Sequence, residues 1–466
     1  MWKRSLLAKK RLQRCAERQA LNLMPLNCAS IQNRNFFSRI RKVMKVLFEP
    51  KKPTDRDVRQ TWELQMCLLN VELKGILEDK FKGDVIDALL KDREGTIRTL
   101  GELWLEAYEK VDQRGIYTQY GNRGLQYELQ CDITNDVIET METFQRIDDR
   151  LPERQEESYD IEEIHIDILL RELMETKQEL AVIQEANRDL PQPRQVSQTA
   201  FLQKKQGAIE TLLDHHAHNP DPSDLPLMDD FGFHGQGSSK EVLKAMRYHQ
   251  TVNLCRASLL KQELGYATIA LASTIPEAGR GIFLDGRVLT GTVIAFFPGD
   301  IWAREFLVDM TDELAEYFAT NPKHQLRLRS DELLVDCRAS PYTVLQNPWA
   351  IAHIANHPTP DTFPNALAIP IDYYEEWKLK RSGLEKYIPN QYAREPPILG
   401  TRLLNRHVID EQGMLLLSSR QVFNEEITYD YMLLHKEPPD WYHKVDVHKW
   451  EYGDSDDAPS DNTDTK

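Results

Sequence analysis

A change of texture at residues 219–237 constrains the fold of this chain more than any other feature. The run Asn219-Pro220-Asp221-Pro222-Ser223 through Gly235-Gln236-Gly237 is dense in residues that interrupt regular structure, so it reads as a linker. Upstream the apolar residues recur at helical spacing. Leu69, Leu73, Ile76 and Leu77 form one stripe in a helical reading of 53–115, and Ile161, Ile164, Ile168, Leu169 and Leu173 form another. Residues 120–216 are rich in Glu, Gln, Arg and Leu, all good helix formers, so 52–218 is expected to be a bundle of helices.

Downstream, Ser238 precedes Glu241 by three, the spacing of a capping box, which predicts a helix over 239–263. Past Tyr266 the apolar runs shorten and alternate with Gly and Pro. Thr268–Ala272, Gly281–Leu284, Thr292–Phe297, Leu333–Val335 and Met414–Leu417 read as short strands, with a helical insert at 305–320. The class is therefore α+β, a mainly helical N-terminal region followed by a strand-rich part over 239–450. The tail 454–466 is acidic and Ser/Asp/Thr-rich, a composition typical of disorder.

Charge divides the chain differently. Residues 1–48 hold twelve Lys/Arg against the single acid Glu17, a net +11; the whole chain is −16, which leaves −27 on the rest. A basic, acid-poor start interleaved with Leu6, Leu7, Leu12 and Ala16 matches a mitochondrial transit segment, and Arg34-Asn35-Phe36-Phe37-Ser38 matches a processing site. The alternative is a basic arm serving the nucleus, or a protein that stays in the cytoplasm. The acidic remainder argues against direct nucleic-acid binding and favours a basic protein substrate.

The six cysteines, at 15, 28, 67, 131, 255 and 337, include no Cys-x-x-Cys pair, which argues against a zinc site or a disulfide framework. No stretch approaches the roughly 18 apolar residues a membrane helix needs. His215, His216 and His218 lack a matching acid or cysteine pattern and read as a solvated helix end, so no metal is expected.

Four further segments stand in a fixed order. They are Gly279-Arg280-Gly281-Ile282-Phe283; Phe297-Pro298-Gly299 after Thr292-Val293-Ile294-Ala295; Asn356-His357 with Pro364-Asn365; and Glu425-Glu426-Ile427-Thr428-Tyr429-Asp430-Tyr431. The glycine pair runs into Ile282-Phe283-Leu284 with no third Gly opening a helix, which excludes the dinucleotide fingerprint. No Gly-x-Ser-x-Gly is present to seat a serine nucleophile. In order and spacing, the four segments resemble the motifs of SET-domain protein lysine methyltransferases over about residues 240–435.

The resemblance implies a SET-domain (β-clip) fold of short strands with a pseudoknot-like crossing. It also implies S-adenosylmethionine (S-adenosyl-L-methionine) as cofactor and a protein lysine ε-amine as methyl acceptor. It makes Tyr431 the catalytic tyrosine and Tyr429, its neighbour two positions back on one short strand, the residue that limits methylation to one methyl. Gly279, Arg280 and Gly281 would lie along the cofactor, Asn356 would meet its methionine end with the side chain, and His357 would meet its adenine through the main chain. Trp441 would cover the adenine. Three departures from the family pattern stand out: a three-residue insertion within His357-Pro358-Thr359-Pro360-Asp361-Thr362-Phe363-Pro364-Asn365, Phe297 where a tyrosine is common, and no cysteine-rich segment after the last motif. The competing expectation is a catalytically silent SET-fold scaffold that binds partners through its acidic helices.

Overall fold

The structure, a computed structural model, describes residues 67–69, 71–76, 106–107, 110, 121–152, 162–186, 193–218, 240–302, 326–328, 333–337, 346–374, 377–393, 409–432 and 441–445. The basic segment 1–48, most of 53–115, the linker 219–237, the helical insert 305–320 and the tail 454–466 lie outside these residues, and so do the readings made of them.

Among the described residues four long helices precede the strands: α1 (Gly121–Asp148), α2 (Glu163–Ala186), α3 (Pro193–His218) and α4 (Lys240–Leu264). None of the described helices is long and apolar enough to cross a membrane. The capping-box helix falls within a residue of its expected limits. Gly265, at φ +80°, ends it by returning its N–H to the Lys261 carbonyl at 2.9 Å, a left-handed position that glycine takes without strain.

Eleven short strands follow among the described residues: β1 (Tyr266–Ala272), β2 (Arg280–Val288), β3 (Val293–Phe297), β4 (Gly299–Trp302), β5 (Leu326–Leu328), β6 (Leu334–Asp336), β7 (Ala366–Tyr374), β8 (Asn390–Tyr392), β9 (Ile409–Ser418), β10 (Val422–Phe423) and β11 (Glu426–Ile427). They form three small sheets, ordered β1-β2-β10 with β11 also on β2, β3-β9-β7, and β5-β6-β4-β8. Pairing is antiparallel except for β4 with β8. The architecture is thus α+β.

Strands β2, β3 and β7 are largely buried on both faces, and the period-2 alternation sorts the side chains of the central strands into two cores. On β9, Leu415 and Leu417 face a core shared with the helices, while Met414 and Leu416 face a second one. Phe283 of β2 takes the helix side, and Ile282 and Leu284 the other. In the first core, Phe144 of α1 meets Trp349 edge-on at 5.3 Å and Tyr387 at 5.7 Å. Each such fully buried side chain contributes about 1.5–3 kcal/mol, so these helices and strands share one core.

Polar groups reinforce that seam. Lys205 of α3 is buried between the carboxylates of Glu172 on α2 and Asp285 on β2, and Lys261 of α4 reaches Asp285 at 2.7 Å and Glu179 at 3.1 Å. Burial alone would raise the pKa of Asp285, but the two ammonium groups outweigh it and hold the carboxyl below its ordinary value.

Two expectations from the helical pattern are corrected. Ile164, on the apolar stripe of α2, is 42% exposed because the stripe drifts off the packed face, whereas Ile168 and Leu169 behind it are buried. His215 is buried, not solvated, because α4 covers the end of α3, and there the neighbouring His216 Nε2 lies 3.3 Å from Thr251 Oγ1. No group of three or more His, Cys, Asp or Glu side chains that could hold a metal ion occurs among the described residues.

Candidate functional site

At one corner of the sheets, segments distant in sequence meet. Thr428 bridges Asn356 in parallel, the Tyr429 N–H donates to the Asn356 carbonyl at 3.0 Å, and the Thr428 carbonyl accepts from Asn365 N at 3.1 Å and Ala366 N at 3.0 Å. The Asn365 side chain completes the lock, accepting from Thr428 N at 2.8 Å and donating to the Glu426 carbonyl at 2.8 Å. A side-chain amide carries both a donor and an acceptor, so one buried Asn can hold a passing strand by two main-chain groups. Here that holds 426–428 between 356 and 365.

Tyr429 and Tyr431 lie side by side with ring centroids 5.1 Å apart. They do not share a strand as expected: β11 ends at Ile427, and past the Thr428 bridge the chain runs irregularly toward Met432, at φ +48°. Tyr429 is buried and packs edge-on against Phe297 at 5.6 Å, an apolar wall where a second hydroxyl would have stood. Tyr431 is half-buried, and its hydroxyl donates to the Ala355 carbonyl at 2.9 Å. Its oxygen thus lies beside a main-chain oxygen, two acceptors converging on one spot.

His357 is a hub for the C-terminal segment 441–445. Its Nε2 lies 2.8 Å from the His443 carbonyl, which can only accept, so the proton sits on Nε2; Nδ1 is then the acceptor for Tyr431 N–H at 3.4 Å. The imidazole ring lies tilted against those of Tyr442 and His443, with centroids 4.7 and 4.6 Å away. Asp430 steadies the same corner, accepting from Met432 N at 2.9 Å and the Tyr442 hydroxyl at 3.3 Å. This brings Trp441, 56% exposed, edge-on to Tyr431 at 6.1 Å.

The glycine segment opens β2 after the loop 273–279. Gly279, at φ +72°, has nothing within 4 Å of where a Cβ would stand, so its need is conformational. Gly281 differs: a Cβ there would lie 2.2 Å from Glu426 Oε1 and 3.1 Å from Asn356 Nδ2, so its bareness makes room for protein atoms. Arg280 contributes its carbonyl, which accepts from Asn356 Nδ2 at 2.7 Å. The same nitrogen lies 3.0 Å from Glu426 Oε1 and 3.1 Å from Ser273 Oγ. Two hydrogens face three acceptors, so the Asn356 amide nitrogen is committed inside the protein and its oxygen is the atom left for a ligand.

Residues single-sequence reading passed over complete the corner. Glu426 accepts from Ser273 Oγ at 2.6 Å, Thr274 N at 2.7 Å and Thr274 Oγ1 at 2.5 Å. Glu426, Asn365 and Asp430 stand within the motif segments without a role of their own there, and Ala355 adjoins one of those segments. Ser273 and Thr274 gave no signal.

No protein-family model and no curated protein matches the chain. Among solved structures, the crystal structure of CpSET8 from Cryptosporidium is similar at 13% identity, over 50% of this chain and 97% of that one, with a TM-score of 0.22.

Proposed function

We propose that the protein transfers a methyl group from S-adenosylmethionine to a protein lysine, on a SET-type fold in which the 425–431 segment makes a knot-like crossing between 356 and 365. The observation that carries the reading is convergence. Gly279–Gly281, Asn356–His357, Tyr429–Tyr431 and Trp441 are far apart in the chain and lie around one corner, joined by direct bonds. The segments Leu264-Gly265-Tyr266 and Tyr387-Ile388-Pro389-Asn390 are also similar to SET domain-containing protein nine, the branch of the family this reading favours.

The residues present fit such a cofactor. The open space at Gly279 leaves main chain accessible, the Asn356 oxygen is an acceptor for an ammonium group, and the exposed Trp441 ring is a face for an adenine. When bound, the sulfonium supplies an electrophilic methyl. The protein's part is positioning: Tyr431 Oη and the Ala355 carbonyl hold the amine in line, and the Phe297–Tyr429 wall excludes water and favours the neutral amine. The crowding by Tyr429 favours monomethylation.

Titration of the full chain with S-adenosylmethionine tests the reading, together with methylation of a basic protein acceptor followed by mass spectrometry. Binding and a mass gain of one methyl support it; no binding by folded protein overturns it and leaves the partner-binding scaffold. Residues 1–48 fused to a fluorescent reporter are expected to carry it into mitochondria, whereas nuclear accumulation would favour the basic arm.

A further inference from the structure

The carboxylate of Glu426 is mostly buried and receives only neutral donors: Ser273 Oγ and Asn356 Nδ2 on Oε1, and Thr274 N and Oγ1 on Oε2. Through them it ties three parts of the corner together. Ser273 and Thr274 begin the β1–β2 loop, Asn356 leads into the His357 hub, and Glu426 sits on β11 facing Phe283 of β2. The loop is braced further within itself, since Ile275 N donates to Ser273 Oγ at 3.0 Å and Ser273 N to the Gly279 carbonyl at 2.9 Å.

We propose that Glu426 is a positioning residue that fixes the 273–279 loop and the Asn356 side chain against β2, and so sets affinity for the cofactor while leaving the rate of chemistry to Tyr431. The inference rests on the proposed function for the identity of the ligand, but the clamp itself does not.

The chemistry demands a carboxylate at this position. Each oxygen receives one donor that cannot reverse: Thr274 N–H on Oε2, and on Oε1 the Asn356 NH2, which is held in its orientation by the Arg280 carbonyl. The Ser273 and Thr274 hydroxyls could turn to accept, but a main-chain N–H cannot. A glutamine therefore places its own NH2 against a fixed donor whichever way it is turned. Gly281 fits the same account, because a Cβ there would occupy the space of Glu426 Oε1.

The test uses the full-length chain as wild type, Glu426→Gln, Thr274→Val and, as a matched surface control, Glu425→Gln. Glu425 is paired with Arg420 at 2.7 and 2.8 Å and points away from the loop network. Two readouts are taken: hydrogen exchange at the Thr274 and Ile275 amides, and titration with S-adenosylmethionine. Glu426→Gln is expected to exchange faster at both amides and to bind about ten- to a hundredfold more weakly, with KM for the cofactor raised and kcat little changed. Thr274→Val keeps the main-chain donor and loses one hydroxyl, so a weakening of about three- to tenfold is expected, and it serves if the glutamine variant does not fold. Glu425→Gln should match wild type in both readouts.

Unchanged affinity in Glu426→Gln and Thr274→Val overturns the proposal, even where exchange is faster. A wild-type chain that does not bind S-adenosylmethionine overturns the proposed function instead. The exchange data then decide the clamp alone, which stands if the two amides are exposed in the variant and falls if they stay protected.

Discussion

Two buried carboxylate networks adjoin strand β2, and they are satisfied in opposite ways. On the helix side, Asp285 is met by the full charges of Lys205 and Lys261. At the site, Glu426 on the adjoining β11 is met by hydroxyls, a main-chain N–H and an amide. Charges out of water bind strongly to a partner and punish its loss, whereas neutral donors hold geometry with less at stake for folding. The helix-side cluster accordingly belongs to stability, and the Glu426 cluster to the shape of the site.

The largest effect expected from this contrast is on folding. Lys205→Met leaves Glu172 and Asp285 buried with only Lys261 to offset them, a cost of about 3–5 kcal/mol in chemical denaturation. Replacing Glu172, Lys205 and Asp285 together with apolar residues of similar volume should recover most of it. If Lys205→Met unfolds no more easily than wild type, the helix-side cluster is not the fastening claimed here.

Tyr431→Phe comes next. It removes the hydroxyl beside the Ala355 carbonyl and should lower turnover about a hundredfold, near 2.7 kcal/mol, with cofactor affinity and unfolding unchanged. Tyr429→Phe should retain turnover and raise the share of di- and trimethylated product, read by mass spectrometry. Full turnover by Tyr431→Phe would sink the mechanism and leave the fold untouched.

How much of this contrast was legible beforehand follows from what each residue looks like alone. Helix α4 and the strands at 266–297 and 409–418 were legible, because capping spacing and buried apolar runs are local signals. The corner was legible through Tyr429, Tyr431, Asn356 and His357, which carry distinctive types at distinctive positions. Lys205 was not: in Gln203-Lys204-Lys205-Gln206 it reads as a surface lysine, and only the packing of three helices on β2 buries it. His215 was missed for the same reason. Ser273 and Thr274 are ordinary loop residues until the carboxylate they serve, some 150 positions away, is placed beside them.

Acid should separate the regions further. His165 and His216 are held below the ordinary histidine value first by burial, so the unfolded chain takes protons more readily. The stability they confer is complete above about pH 6.5 and declines as pH falls below it. Asp285 has a depressed pKa, so its contribution persists below that range and is lost only as pH falls through its folded value, beneath the ordinary 3.8. Denaturation followed from pH 8 to 3 should therefore show an early loss that His165→Gln reduces. A curve flat between pH 7 and 5 would contradict it.

The smallest expected effect tests whether the two networks along β2 communicate at all. Lys204 neighbours Lys205 on α3; its ammonium lies over the Phe283 ring at 5.8 Å and donates at 2.7 Å to the carbonyls of Ala272 and Ser273. Ser273 is therefore held by its carbonyl from the helices and by its hydroxyl from Glu426. Because Lys204 bonds at a solvent-accessible edge, Lys204→Met should cost only about 0.5–1 kcal/mol in denaturation. If the helices help to place the loop, the same variant should speed exchange at Thr274 and Ile275 and weaken S-adenosylmethionine binding two- to fivefold, about 0.4–1 kcal/mol. Combined with Glu426→Gln, its effect on affinity should be less than additive, since both act on one loop through adjoining bonds. Strict additivity would mean that the helical region fastens the sheet without shaping the site, and the two networks on β2 would then be neighbours without coupling.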